Sequence, residues 1–137
     1  MNWLVDTSVW SLAFRRDGVM GSPFVDTLHA ALTRHRVCIT GLILQEFLQG
    51  VTGPKQRKQL LAMFAAFHMI EPNKDDYVAA AELRNQCRRK GVRLGTIDAL
   101  IAQLCIHHEL PLLTTDKDFT LAAKHCPLRV WAPPKPS

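Results

Sequence analysis

The chain has 137 residues, of which 47% are hydrophobic and 21% charged, a balance typical of a single folded domain. No apolar run reaches the ~18 residues that a membrane-spanning helix needs, and the N-terminus lacks the basic and apolar regions of a secretory signal peptide. The sequence therefore predicts one cytoplasmic domain over residues 1–131, followed by a proline-rich tail at 132–137.

The formal net charge of +5 is compatible with a polyanionic partner, because a basic surface raises the local concentration of anions. Five of the 17 lysines and arginines lie within ten residues, namely Arg84, Arg88, Arg89, Lys90 and Arg93. Taken alone, such a run is typical of a solvated helix face. The four cysteines stand singly without a CxxC pair, so they predict reduced thiols and no zinc site.

Short apolar runs alternate with longer amphipathic segments along the chain, and their periodicity predicts the secondary structure. In chain order we expect a strand at 3–5, a helix capped by Thr7 or Ser8 and running to about residue 15, a helix from Pro23, a strand at 36–40, a helix at 42–49 and a helix from Pro54. The second half of the chain should then form a strand at 68–70, a helix at 75–90, a helix capped by Thr96, a strand at 112–114, a helix at 119–124 and a strand at 128–131. Strands that alternate with helices in this way predict an α/β layer fold with a mainly parallel sheet.

Four acidic residues occupy places that the sheet brings together. Asp6 and Asp116 follow predicted strands, Glu46 lies in the helix after the second strand, and Asp98 lies in the first turn after Thr96. Ligands of parallel sheets collect beyond the carboxyl ends of the strands, so the four share one region. Each also has a local explanation, since Asp6 and Asp116 suit helix caps and Asp98 suits a helix dipole. Glu46 stands in an apolar segment, where we expect it to be buried and to need a partner.

Carboxylates gathered in one pocket repel one another unless a cation lies between them. Oxygen ligands with water at the remaining positions suit Mg²⁺ or Mn²⁺. Such a site can hydrolyse a phosphodiester, because the cation acidifies a water molecule and offsets the charge that develops on the phosphate oxygens. Three hydroxyl residues beside the acids, Thr7, Ser8 and Thr115, are candidates to hydrogen-bond a carboxylate or a water at the site.

Four segments stand in the order and at the spacing of a known family: LVDTSVW at 4–10, EFLQG at 46–50, GTIDALIA at 95–102 and TTDKDF at 114–119. They resemble the PIN domain and, more narrowly, the VapC toxins of bacterial and archaeal VapBC toxin–antitoxin pairs. The resemblance covers essentially the whole chain. It implies a Rossmann-like three-layer α/β/α sandwich and an endoribonuclease that depends on Mg²⁺ or Mn²⁺.

Residue by residue, the resemblance assigns metal ligation or catalysis to Asp6, Glu46, Asp98 and Asp116. Asp118 matches a further acidic position, and we expect it either to support the site or to cap the helix that begins at Phe119. The resemblance also implies a homodimer, an RNA substrate and inhibition by a VapB-type antitoxin. In this context the basic run at 84–93, just before Asp98, becomes a candidate grip on RNA phosphates.

Two other functions remain open on the sequence alone. One is a PIN-type nuclease that processes RNA or cuts structured DNA without a toxin role. The other is a phosphoacceptor signalling domain, although such domains carry paired acids after the first strand, where this chain has Asp6 followed by Thr7 and Ser8. His107 and His108 are candidates to assist catalysis, but the apolar face around His108 favours a core or interface histidine.

Overall fold

The computed structural model of the protein describes residues 1–15 and 21–135. Within them the chain forms β1 (Trp3–Val5), α1 (Thr7–Ala13), α2 (Pro23–Thr33), β2 (Val37–Ile39), α3 (Gly41–Gln49), α4 (Pro54–Phe64), β3 (His68–Met69), α5 (Lys74–Arg89), α6 (Thr96–His107), β4 (Leu112–Leu113) and α7 (Lys117–Ala122). No helix of the described residues is long and apolar enough to cross a membrane. The last two residues of the predicted tail, 136 and 137, lie outside the described residues.

The four strands form one parallel sheet in the order β3-β2-β1-β4. Successive strand residues point to opposite faces of a sheet, and neighbours such as Leu4 and Val5, or Leu112 and Leu113, are all fully buried. Both faces are therefore covered, which is the usual condition of a parallel sheet. The predicted three-layer α/β fold with a parallel sheet is confirmed.

Helices α5 and α6 pack closely against each other, while α1 packs against α2 and α3. Trp10 of α1 is fully buried, and its indole N–H donates to the Val5 carbonyl at 3.1 Å, which fastens α1 to the end of β1. The Trp10 ring meets Phe64 edge-on with 5.2 Å between ring centroids, so α4 joins the same core. This packing fixes the direction in which the chain leaves β1, and hence the place of the acid between β1 and α1.

Two predicted helix caps are displaced by one residue. Asp6, rather than Thr7 or Ser8, is the N-cap of α1, because β1 passes into the helix through one extended residue and the Asp6 carboxylate accepts the Ser8 N–H. Gly95, rather than Thr96, is the N-cap of α6, and Thr96 is the first helical residue. Both helices therefore begin earlier in the chain than the sequence pattern indicates.

The predicted strand at 128–131 is reduced to one parallel bridge between Leu112 and Val130. The Leu112 N–H donates to Arg129 O at 2.9 Å and the Trp131 N–H donates to Leu112 O at 3.0 Å, so only a single residue of β4 is paired on that side. The prediction of a full strand was wrong because β4 itself spans only two residues. The four cysteines are free thiols, as predicted.

The prediction that His108 is a core histidine was wrong, since His108 is the exposed C-cap residue of α6, and its alternative role in an interface stays a prediction. Its neighbour His107 contacts Asp76 at 2.8 Å between Nδ1 and Oδ1. Asp76 also forms a capping box with Asn73 at the start of α5, and the Gln103 amide lies 3.4 Å from its Oδ1. This buried carboxylate therefore ties the first turn of α5 to the last turns of α6.

Asp76→Asn should destabilise the fold by about 1–2 kcal/mol at pH 7, the usual cost of a lost cap and a buried hydrogen bond. Burial raises the pKa of Asp76, but hydrogen bonds from Asn73 and Gln103 and the contact with His107 outweigh it and hold the pKa below the ordinary 3.8. The stabilisation is thus present above pH 3.8 and lost as the pH falls through the lowered pKa.

Urea unfolding of wild type and Asp76→Asn at several pH values measures this difference. Asp75→Asn is the matched control, because Asp75 lies in the same helical turn but is exposed. Equal stability of the two variants at pH 7 would contradict the assignment.

Candidate active site

The order of the strands creates a crevice at one edge of the sheet. β2 and β3 are added on one side of β1, whereas β4 is added on the other side. The order in which strands are added to the parallel sheet therefore changes direction between β1 and β4. Ligands of open parallel sheets bind beyond the carboxyl ends of the strands at such a switch point. Asp6 directly follows β1, and the segment 114–116 directly follows β4. The two predicted strand-end acids therefore flank the crevice.

Asp6 is held in a fixed orientation. Its side chain is almost fully buried, with 6% of the residue exposed. The Ser8 hydroxyl donates to Oδ2 at 2.8 Å, the Thr114 hydroxyl donates to the same oxygen at 2.9 Å, and the Ser8 N–H lies 3.4 Å from it. Within the described residues, Oδ1 receives no hydrogen bond. One carboxylate oxygen is thus anchored while the other is left for a ligand.

Thr114 connects the two strand ends and was missed by the sequence analysis. Its hydroxyl donates to Asp6 and accepts the Asp116 N–H at 3.0 Å, so a single side chain fixes the acids after β1 and β4. The available signal was the position of a buried threonine directly after the apolar residues of β4. Of the predicted hydroxyl residues, Ser8 contacts Asp6 as expected, and Thr115 contributes its backbone N–H to Ser8 Oγ at 3.1 Å.

Thr7 is the remaining hydroxyl that the sequence suggested. Its Oγ1 is buried without a hydrogen-bond partner, so it does not contact a carboxylate of the described residues.

The prediction that Asp118 caps the helix beginning at Phe119 was wrong. Asp116 is the N-cap of α7, and its Oδ1 accepts the Asp118 N–H at 2.9 Å. The helix begins two residues earlier than predicted, which places Asp118 inside its first turn.

Asp98 lies at the electrostatic centre of the acidic residues. Burial raises its pKa, and the negative charges of Asp6, Asp116, Glu46 and Asp118 raise it further, to about 6. Coulombic effects of this kind require the charged groups to be near one another. The structure thus brings the four predicted acids and Asp118 into one field, from four separate parts of the sequence.

Glu46 reaches this field in a different way from the one predicted. The residue is exposed, while its helical neighbours Ile43 and Phe47 are buried in the core. The expectation of a buried Glu46 was wrong because an apolar segment in α3 still presents one polar face. Exposure leaves the Glu46 carboxylate free to move toward a ligand at modest cost.

The side chains do not form a closed metal cage. Among the residues that the structure describes, no three His, Cys, Asp or Glu side chains are grouped closely enough to hold a metal ion between them. The donors available at the crevice are carboxylate oxygens, one of which, Asp6 Oδ1, has no hydrogen-bond partner in the described part of the chain. Mg²⁺ commonly keeps several waters and uses only one or two carboxylates. The residues present therefore fit a hydrated hard cation and do not fit a fully protein-ligated one.

His107 is remote from the acids. It lies nine residues after Asp98 on α6, which corresponds to roughly 13 Å along the helix axis. Its contact with Asp76 gives it a structural partner at the opposite end of α6. Neither His107 nor the C-cap residue His108 is part of the crevice.

The predicted basic run divides into two sets. It covers the last turns of α5 and the loop into α6. Arg84, Arg88 and Arg93 line a common cavity of about 650 Å³, whereas Arg89 and Lys90 are exposed and do not line it. The cavity also includes Gly95, three residues before Asp98.

Comparisons with known proteins agree with this architecture. The sequence model of the family described as the PIN domain matches residues 3–125. The fold is similar to FitAcB from Neisseria gonorrhoeae, with 18% identity and a TM-score of 0.74 over 94% of this chain and 96% of that chain. It is also similar to VapBC2 from Rickettsia felis bound to a DNA fragment from its promoter, with 19% identity and a TM-score of 0.74 over 96% and 98% of the chains.

A third similar structure is VapC20 from Mycobacterium tuberculosis, described as a sarcin-ricin loop cleaving toxin. It shares 18% identity with a TM-score of 0.61 over 93% of this chain and 99% of that chain. At these identities the structural likeness establishes the fold. None of the curated proteins compared with this chain matches it. The PIN-domain match decides against the alternative of a phosphoacceptor domain.

Glu46→Gln should lower the pKa of Asp98 from about 6 in the absence of divalent cations, because one of the charges that raise it is removed. The exposed position of Glu46 makes the fold insensitive to this change. Carboxyl ¹³C NMR titration of Asp98 measures the shift. Glu82→Gln, on exposed α5 surface, is the matched control and should leave the titration unchanged. An Asp98 pKa that is the same in Glu46→Gln and in wild type would show that the charge of Glu46 does not act on Asp98.

Proposed function

This chain belongs to the PIN-domain family, and we propose that it is a divalent-metal-dependent endoribonuclease of the VapC toxin type. The observation that carries the proposal is geometric: the Thr114 hydroxyl binds both the Asp6 carboxylate and the Asp116 N–H, which holds two acids side by side at the end of the sheet. The raised pKa of Asp98, which follows from burial and from the nearby charges of Asp6, Asp116, Glu46 and Asp118, agrees with this placement. Acids that repel one another at a sheet edge need a compensating positive charge. A cation at the acids also suits hydrolysis of a phosphodiester, because this substrate is itself an anion.

We assign the cation to Asp6, Glu46, Asp98 and Asp116, with Mg²⁺ as the resident ion and Mn²⁺ as a substitute. Oxygen-only donors favour these hard cations over zinc. When bound, a divalent cation supplies the positive charge that acidifies water and offsets charge on the phosphate oxygens. Asp118, whose charge reaches Asp98, supports the site from the first turn of α7.

The chain's own residues contribute orientation. The hydroxyls of Ser8 and Thr114 hold Asp6 Oδ2, which fixes the carboxylate and leaves Oδ1 available to a cation. The Thr114 hydroxyl also fixes the backbone of Asp116, which keeps the two strand ends at a constant separation. Such fixed partners are worth about 10–100-fold in metal affinity or activity in other metal sites. Thr114 is therefore a positioning residue for the acids on both sides of the crevice.

RNA is the proposed substrate because the surface beside the acids is basic. The net charge of +5 and the run from Arg84 to Arg93 attract a polyanion. Contacts of arginine and lysine with phosphates position a strand without reading its sequence. The basic run ends in the loop before α6, whose first turn carries Asp98, so an RNA strand bound to the end of the run lies beside the acids.

We further propose that a VapB-type antitoxin inhibits the protein and that the chain forms a homodimer. The fold is shared with toxin–antitoxin complexes such as VapBC2, and exposed apolar side chains including Tyr77, Val78 and Ile97 offer surface for a protein partner. A nuclease with a role in RNA processing instead of a toxin role is the alternative. A small neighbouring reading frame that encodes a DNA-binding antitoxin distinguishes the two.

Asp98→Asn and Asp6→Asn should each reduce Mg²⁺-dependent RNA cleavage at least ~100-fold, since each removes a proposed ligand of the cation. The measurement is the cleavage rate of a labelled RNA with and without EDTA, together with circular dichroism and thermal unfolding to establish that each variant is folded. Asp75→Asn is the matched control. Its carboxylate is exposed at the start of α5 and does not affect Asp98.

Full Mg²⁺-dependent cleavage by a folded Asp98→Asn protein would overturn the proposal. Sequencing of RNA 5′ ends after controlled expression, with Asp98→Asn as the comparison, identifies the substrate. A discrete cleavage site that is absent from the Asp98→Asn sample supports a specific ribonuclease. Decay that is equal in both samples argues against one.

A further inference from the structure

We infer that Arg84, Arg88 and Arg93 form a subsite for one phosphodiester of the RNA strand, adjacent to the acidic crevice but separate from the bond that is cleaved. This inference rests on the proposed ribonuclease function and narrows it. The basic run is not a uniform electrostatic surface: three of its members converge on one cavity, and two do not.

The convergence follows from local structure. Arg84 and Arg88 are separated by four residues, which places them on one face of α5. The helix then ends in a left-handed residue, Gly91 with φ of +78°, and the Val92 N–H donates back to Cys87 O at 2.9 Å. This turn reverses the chain, so the loop at 92–95 runs back beside the face that carries the two arginines.

Arg93 completes the set because its neighbours are fixed. Val92 and Leu94 are both buried in the core, while Arg93 between them is exposed. The alternation directs the Arg93 side chain outward, into the cavity of about 650 Å³ that Arg84 and Arg88 also line. Two buried apolar anchors thus hold a cation opposite the helix face.

The three guanidinium groups lack an anionic partner among the residues that the structure describes. Within residues 1–15 and 21–135, the contact between His107 and Asp76 is the only ion pair, and none of the three arginines takes part in it. Arg84 Nε is buried and has no hydrogen-bond acceptor. A buried donor without a partner costs free energy, and guanidinium groups that share a cavity repel one another. An oxyanion inside the cavity offsets the repulsion and accepts hydrogen bonds from the guanidinium groups that line it.

The position of the cavity indicates which anion this is. Gly95 lines the cavity, and a Cβ atom at Gly95 would lie 3.9 Å from Asp98 Oδ2, so cavity and crevice share a wall. A strand whose scissile phosphate lies at the acids therefore places a neighbouring phosphate within reach of the arginines.

Salt dependence of RNA binding tests the inference. Fluorescence anisotropy with a labelled 12-nucleotide RNA is measured in EDTA, where cleavage is absent, over a range of salt concentrations. Each phosphate contact on a single strand contributes about −0.7 to the slope of log K against log[salt]. Arg88→Gln and Arg93→Gln should each reduce the size of the slope by no more than about 0.7, and the double variant should reduce it by about 0.7 in total, because both arginines hold one phosphate.

Arg89→Gln is the matched control and should leave the slope unchanged. Arg84→Gln is studied only after its thermal unfolding matches wild type, since Arg84 is partly buried. RNA with a 5′-hydroxyl and RNA with a 5′-phosphate should give the same slopes, because the subsite binds an internal phosphodiester. Three results would each overturn the subsite: a dependence on the 5′-phosphate, a loss for Arg89→Gln equal to that for Arg93→Gln, or a loss of about 1.4 in the double variant, the value for two separate phosphates.

The test separates this inference from the proposed function. RNA cleavage in Mg²⁺ by wild type, combined with unchanged slopes in all arginine variants, rejects the subsite and retains the ribonuclease. The predicted slopes without any Mg²⁺-dependent cleavage reject the ribonuclease and retain an RNA-binding subsite.

Discussion

The mutual repulsion of carboxylates at the switch point of the sheet is the constraint on which the site depends. Asp98 is the group that reports it, because burial and four surrounding acidic charges raise its pKa to about 6. The fold opposes this repulsion with fixed geometry: Ser8 and Thr114 hold Asp6, and Thr114 holds the backbone of Asp116. The acids are therefore kept together by the core of the protein and not by attraction among themselves.

This arrangement costs stability above the ordinary pKa of a carboxyl group. A carboxyl with a raised pKa in the folded state favours unfolding as the pH rises from 3.8 toward 6, because the unfolded chain releases the proton first. Asp76 has the opposite sign, since its lowered pKa stabilises the fold above pH 3.8. One helix pair, α5 and α6, thus carries a stabilising acid at one end and a destabilising one at the other. Only the destabilising acid lies in the proposed active site, as expected where function outweighs stability.

The fold and part of the candidate site were predictable from the sequence. The parallel sheet and the shared location of Asp6 and Asp116 followed from the alternation of strands and helices, since strand ends of a parallel sheet meet at one edge. Other features depended on contacts between distant segments. The exposure of Glu46, the bridging hydroxyl of Thr114 and the buried role of Asp76 required the packing of α3, β4 and α6, which local periodicity does not encode.

The basic run shows the same division. Its charge was visible in the sequence, but the separation of Arg84, Arg88 and Arg93 from Arg89 and Lys90 depends on the turn at Gly91 and on the burial of two flanking residues.

A crystal soaked in Mn²⁺ and measured at the manganese absorption edge tests the proposed cation site most directly. We expect an anomalous peak beside Asp6 Oδ1 and Asp98 in wild type, and none in Asp98→Asn. A wild-type crystal without a peak in the crevice, at Mn²⁺ concentrations that support cleavage, would contradict it.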